Sequence, residues 1–261
     1  MNRAICIHGH IYQPPRENPW LGEVWVQRSA APFHDWNERV TAECYAPNTA
    51  ARILDEEGMI EDVMNIYSKV SFTAAPTLLS WLRRHRPQVY DAIICADRES
   101  QRHYSGHGSA IASCYNHLIM PLASREDKET QIIWGIRDFI FRFGRMPEGM
   151  WLPETAVDVE SLDLMARAGI KYTILAPHQA RRVRAGGEED WIDVSDSRVD
   201  TRMPYLCRLP SGRSISIFFY NGKVAREVAF SDLLADGKRF ARRLFESFSL
   251  DGKGPEIVHI A

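Results

Sequence analysis

Short apolar runs alternate along this chain with longer stretches of helical periodicity, and that alternation constrains the fold more than any other feature. A strand followed by a helix and then by a second strand in the same direction builds a parallel sheet with helices packed on it. Val70 to Ala74 reads as a strand, and Leu78 to Arg84, capped by Thr77, as the helix after it. Ser124 is placed to cap a helix over Glu126 to Arg142, with Ile132, Ile133, Ile136, Phe139, Ile140 and Phe143 at helical spacing. Gly149 to Leu152 then reads as a strand, Val159 to Ala168 as a helix ended by Gly169, and Lys171 to Leu175 as a strand. The first strand is expected over Arg3 to His8 and the last over Glu256 to Ile260. The predicted class is α/β with largely parallel strands, in an open sheet or closed into a barrel.

The segments between are less regular. A long aromatic loop, from Gly9 to about Trp36, holds Pro14, Pro15, Trp20 and Trp25. Loops of that length inside a compact domain usually cover a cleft or carry function. Pro47 can open a helix over Asn48 to Glu57 that Gly58 would end, and Pro87 another to about Arg98. Ala110 to Tyr115 reads as a strand, with Asn116 and His117 at its end. Tyr205 to Leu209 and Ser214 to Tyr220 suggest a hairpin around Pro210-Ser211-Gly212. Ser231 is expected to cap a helix to about Phe248, before a turn at Gly252-Lys253-Gly254-Pro255.

The 261 residues suffice for one large α/β domain, and 45% hydrophobic with 25% charged residues is an ordinary globular balance. A net charge of −2 gives no basic excess for a nucleic-acid partner. No apolar run reaches the roughly 18 residues of a membrane span, and the start is too quickly polar for a signal peptide. The five cysteines are scattered without a CxxC pair. That spacing predicts reduced, mostly buried thiols and a cytoplasmic setting.

The densest chemistry lies at two strand ends. His8 and His10, two residues apart as the first strand closes, should share a face, with Tyr12, Gln13 and Arg16 just beyond. They suit metal binding, hydrogen bonding to a hydroxyl-rich substrate, or a structural role. A catalytic zinc needs a third protein ligand, and the spacing does not choose among His107, His117 and His259. At the second strand end, Trp151-Leu152-Pro153 runs straight into Glu154, where a helix is expected to begin near Thr155. The edge at which strands hand over to helices is where α/β folds place their chemistry. The alternative is a surface carboxylate stabilised by the dipole of the next helix. Gly106-His107-Gly108 lacks the lysine of a phosphate loop, and no G-x-S-x-G elbow is present.

Taken together, these pieces resemble glycoside hydrolase family 57. His8-Gly9-His10-Ile11-Tyr12-Gln13-Pro14-Pro15 resembles its first motif, although here the His-Gln-Pro element is not contiguous. His117-Leu118-Ile119-Met120-Pro121-Leu122 resembles its second motif, and Trp151-Leu152-Pro153-Glu154 its third. The resemblance implies an incomplete seven-stranded (β/α) barrel, with the whole of 1–261 as one catalytic domain. It implies retaining chemistry on α-linked glucan-type sugars, without a cofactor or metal, and Glu154 as nucleophile. His8, His10, Gln13, Trp20, His117 and Trp151 would then bind substrate. A fourth motif, carrying the general acid, should follow Glu256 to Ile260. The chain stops at Ala261, so the expectation is a fragment, inactive by itself, that lacks the last barrel elements and a helical region.

Two competing readings follow from the same residues. One is a metal-dependent hydrolase of the polysaccharide-deacetylase type using His8 and His10. Its usual Asp-Asp pair is missing, since Asp35 and Asp55 stand alone. The other is a non-catalytic carbohydrate-binding domain.

Overall fold

The computed structural model describes residues 3–250 and 254–261. Gly252 and Lys253 of the expected turn lie outside the described residues. In chain order the first elements are β1 (Arg3–Ile11), α1 (Trp36–Val40) and α2 (Ala46–Thr49), the two helices joined by a π-helical turn over Thr41–Tyr45. Next come β2 (Ala51–Leu54), β3 (Ile60–Met64), β4 (Ser71–Ala74), α3 (Pro76–His85) and α4 (Pro87–His103). The middle holds β5 (Ala110–Ser113), α5 (Arg125–Phe143), β6 (Met150–Trp151), α6 (Val159–Arg167) and β7 (Tyr172–Leu175). The remainder is β8 (Arg182–Val183), β9 (Ile192–Asp193), β10 (Tyr205–Arg208), β11 (Ser214–Phe219), α7 (Gly222–Phe230), α8 (Gly237–Phe245) and β12 (Glu256–Ile260).

The chain divides into two compact units. The first takes in Met1–Gly9, Leu118–Ile133 and Glu148–Ala261; the second takes in His10–His117 and Trp134–Pro147. β1 is therefore shared, its residues to Gly9 in the first unit and His10 and Ile11 in the second.

In the first unit β1 pairs in parallel with β12, from Arg3 opposite Glu256 to Ile7 opposite Ile260. β7 pairs in parallel with β11, and β10 closes an antiparallel hairpin onto β11 as the sequence predicts. β6 lies beside β7 through a parallel bridge between Gly149 and Tyr172. A side chain at Gly149 would collide with the Tyr172 ring and force it to shift, which glycine avoids. α6 starts where Asp158 accepts the Ser161 backbone N–H at 2.8 Å, and buries Leu162, Leu164 and Met165. Lys128 Nζ reaches Asp158 at 2.6 Å and Glu160 at 3.0 Å. Partial desolvation works to raise the Asp158 carboxyl, but the Lys128 and Ser161 hydrogen bonds prevail and hold it below the ordinary aspartate value. Val224, Leu244, Phe248, Val258 and Ile260 form an apolar cluster against which Ile7 packs.

In the second unit β4 and β5 pair in parallel, Phe72 opposite Ala110. The Ile11 carbonyl accepts from Ala75 N at 3.0 Å. Prolines open both α3 and α4, where the missing N–H costs nothing. The fully buried Asp97 takes two bonds from Arg145, at 2.7 and 2.9 Å, and accepts the Ala110 N–H at 2.8 Å. This charge cluster fixes where β5 begins.

Two expected helices are corrected. The segment 48–57 is not a helix: α2 stops at Thr49, and β2 and β3 form an antiparallel hairpin. Asp55 turns the chain by accepting Met59 N at 2.7 Å, and Gly58 sits at φ 80°. Ser231 does not cap a helix to Phe248. It ends α7, which Asn221 caps, and Asp236 caps the separate α8. The thiols are free, as expected, but Cys114 alone is fully buried, while Cys44 and Cys95 are exposed. Among the described residues no helix is long and apolar enough to cross a membrane.

Candidate active site

The first unit carries Glu154. β6 and Leu152 are buried, and Pro153 continues into the core. Glu154 then adopts φ 55° and ψ 19°, and Thr155 follows at φ 53°. Two successive non-glycine residues in the left-handed region are costly, about 1–3 kcal/mol each, and persist only where the surroundings over-determine them. Here Thr155 N donates to Leu152 O at 2.9 Å and Ala156 N to Pro153 O at 3.0 Å. Gln179 Nε2 donates to Thr155 O at 2.7 Å. The outcome is a sharp corner that buries Pro153 and Thr155 and leaves Glu154 exposed between them.

This corner separates Glu154 from the next helix. α6 begins only at Val159, and its N-terminal carboxylates are Asp158 and Glu160. The helix-dipole explanation therefore applies to those two residues and not to Glu154.

Beneath the corner, the buried His8 ring stacks on Trp151, with centroids 5.0 Å apart and planes at 18°. Trp151 is 7% exposed, so it supports His8 instead of offering an open face. Two residues back along the same face of β1, Cys6 stands opposite His259 of β12. His259 is buried and edge-on to Phe218, and neither ring nitrogen has a hydrogen-bond partner among the described residues. Burial lowers its pKa to about 4, so the ring is neutral near pH 7. The same desolvation pushes the Cys6 thiol up to about 11, which makes it unreactive.

The second unit assembles His10, His117, Tyr12 and Gln13. His10 Nε2 and His117 Nε2 lie 3.0 Å apart, although 107 residues separate them in sequence. One proton bridges them, so one ring donates and the other accepts. Burial first, and the His117 charge second, lower His10 to about 4. Tyr12 stacks on His117 with centroids 3.7 Å apart. His117 itself lies at φ 46°. Gln13 is fixed at both ends of its amide: Arg16 Nη2 donates to its oxygen at 2.8 Å, and its nitrogen donates to Tyr45 Oη at 3.4 Å. Trp20 tops a turn whose N–H groups bond Asn18 Oδ1, and at 87% exposed it faces solvent instead of those rings.

Among the described residues no group of three His, Cys, Asp or Glu side chains is arranged to hold a metal ion. Neither Tyr45 nor Gln179 stands out in the sequence. Tyr45 belongs to the π-helical turn, a local irregularity common at functional sites but without a sequence signature. Gln179 had a positional signal, since it follows the end of a parallel strand.

The family model of glycosyl hydrolase family 57 matches residues 4–260. The chain belongs to glycosyl hydrolase family 57. All three motif segments fall inside the matched range. Alpha-amylase 1 of Dictyoglomus thermophilum is 30% identical over 100 residues, which is 38% of this chain and 13% of that enzyme. The 4-alpha-glucanotransferase of Thermococcus litoralis has a similar structure, with a TM-score of 0.65 and 16% identity over 100% of this chain and 33% of that one. The exo-type maltose-forming amylase of Pyrococcus sp. ST04 matches with a TM-score of 0.67 and 17% identity, over 100% of this chain and 42% of that one. This family 57 chain thus spans less than half the length of each. The incomplete (β/α)-barrel class expected from the sequence is the fold it shares with these structures.

Proposed function

We propose that this chain supplies the nucleophile, Glu154, of a retaining glycosidase or glucanotransferase acting on α-linked glucan. The observation that carries this reading is the left-handed Glu154–Thr155 corner, which projects one carboxylate from the end of a buried strand. Such local strain is retained where a side chain must be presented in one orientation. In the proposed reaction the ionised carboxylate attacks the anomeric carbon and forms a glycosyl ester. A proton donor roughly 5–5.5 Å away then serves the leaving oxygen and later activates water or an acceptor sugar. His10, His117 and Gln13 are assigned to hydrogen bonds with sugar hydroxyls, with the Gln13 amide oriented by Arg16 and Tyr45. His8 is assigned to the same work, and Trp151 keeps its ring in place. Trp20 is assigned to outer sugar units, where an exposed indole suits a sugar face. Relatives named as amylases and a glucanotransferase support the substrate class. Five unpaired cysteines support a reducing, cytoplasmic setting.

The test is covalent trapping. A fluorinated α-glucosyl fluoride that stalls after the first chemical step should leave its sugar on the peptide containing Glu154, read by mass spectrometry of the intact protein's digest. A label on another carboxylate, or turnover without any trapped ester, would remove Glu154 from the role.

A further inference from the structure

We propose that Gln179 is the positioning residue of the Glu154 corner, clamping the strand-end loop that presents the carboxylate. The inference rests on the nucleophile reading of Glu154 and adds the part that holds it in place.

β6 and β7 run side by side in the same direction, bridged at Gly149 and Tyr172. Their C-terminal ends therefore open on the same edge, and the loop after β7 lies beside the loop after β6. Gln179 sits in that second loop, in a short turn that follows Ala176. Both ends of its amide are used. Oε1 accepts the Ala176 N–H at 2.8 Å, which fixes the side chain to its own turn. Nε2 donates at 2.7 Å to Thr155 O, 24 residues away.

Thr155 is the second left-handed residue, and its N–H is already bonded to Leu152 O. With Gln179 on its carbonyl, both peptide groups of Thr155 are held, one from within the corner and one from outside it. Rotating Thr155 back to an ordinary conformation would have to break the Gln179 bond, and it would swing the peptide that joins Thr155 to Glu154. Within the corner the other two hydrogen bonds come from backbone to backbone over short range. Gln179 contributes the side-chain bond that ties this corner to a neighbouring strand end. A glutamine meets the geometric need because its amide is at once the acceptor for Ala176 and the donor for Thr155. A glutamate of the same shape keeps the acceptor and turns the donor into an oxygen facing a carbonyl.

The experiment compares wild type, Gln179→Glu and Gln179→Leu in the intact protein. It measures the rate at which the fluorinated α-glucosyl fluoride labels Glu154 at saturating reagent, the apparent affinity for the reagent, and the thermal midpoint. Both variants should label at least tenfold more slowly with affinity within twofold of wild type, because presentation of the carboxylate changes while the sugar pocket does not. Labelling of both variants within twofold of wild type overturns the positioning role. A loss that appears only as weaker affinity, or only in Gln179→Leu, overturns it as well. If Gln179→Leu does not fold, the isosteric Gln179→Glu decides by itself. If wild type is not labelled on Glu154, the nucleophile reading fails first, and that outcome is distinct from labelled wild type with unaffected variants.

Discussion

Glu154 and the His10–His117 pair are held by opposite means. The carboxylate is exposed and is aimed by the backbone, through two left-handed residues and the hydrogen bonds that lock them. The histidines are aimed by side chains, through ring stacking, burial and a nitrogen–nitrogen hydrogen bond. Under the roles proposed for them, the difference has a physical reason. A nucleophile has to stay ionised and reach into a site, so it cannot be wrapped in apolar surface. A ring that donates or accepts at a hydroxyl gains from burial, which keeps it neutral and fixes its direction.

The contrast is broken or sharpened by substitution. The largest effect is expected at the carboxylate itself: Glu154→Gln should lower turnover at least about a thousandfold, as removal of a nucleophile does, and leave glucan binding within a few-fold. Near-normal turnover would show that the corner serves some other purpose. A loss of comparable size in free energy, but in stability, is expected from the scaffold below His117. Asp97→Asn leaves Arg145 without its charge partner, and breaking a buried pair costs roughly 3–5 kcal/mol. Denaturant unfolding measures it, and a change below about 1 kcal/mol would deny the pair that role.

His259 belongs to the scaffold two residues below His8. Its folded pKa, about 4, lies under the unfolded value of 6.5. The unfolded chain therefore takes up the proton first as pH falls. Its contribution is complete above about pH 6.5 and is lost by about pH 4. That loss is about 3 kcal/mol. His259→Phe should remove this part of the acid sensitivity while leaving the part due to His10. An unchanged pH slope would mean that the ring is not neutral in the fold.

Smaller effects are expected where a single hydrogen bond to substrate is at stake. His117→Asn keeps a residue tolerant of the left-handed region and removes the ring. It should reduce kcat/KM by roughly tenfold, the worth of one such bond, without the collapse seen at Glu154. A drop as deep as that of Glu154→Gln would erase the distinction between the two regions. The smallest change is expected from Trp20→Ala. Stability should move by less than about 0.5 kcal/mol, since the indole is on the surface, and only KM for long glucans should rise. An equal effect on a short glucoside would place Trp20 at the reacting sugar.

Much of this was legible in advance, and the misses share a cause. The strands that end at the motifs were readable because short apolar runs bounded by Gly and Pro leave few alternatives. The β2–β3 hairpin was hidden because Ala51 to Glu57 has helical composition, and one aspartate and one glycine turned it. α7 was not expected from the sequence; its start is set by Asn221, which accepts from Lys223 N and Val224 N. In both cases a local side-chain hydrogen bond decided between two conformations of similar propensity.

By itself the sequence determined the class of fold, the order of the three motif segments, and the placing of Glu154, His8, His10 and His117 at strand ends. Those follow from periodicity and from chain order, which are written in one dimension. Only the tertiary structure decided that His10 meets His117, that Trp151 supports His8, and that Glu154 stands on a left-handed corner clamped by Gln179. Those depend on contacts between residues far apart in the chain, and on backbone angles that no residue type other than glycine announces.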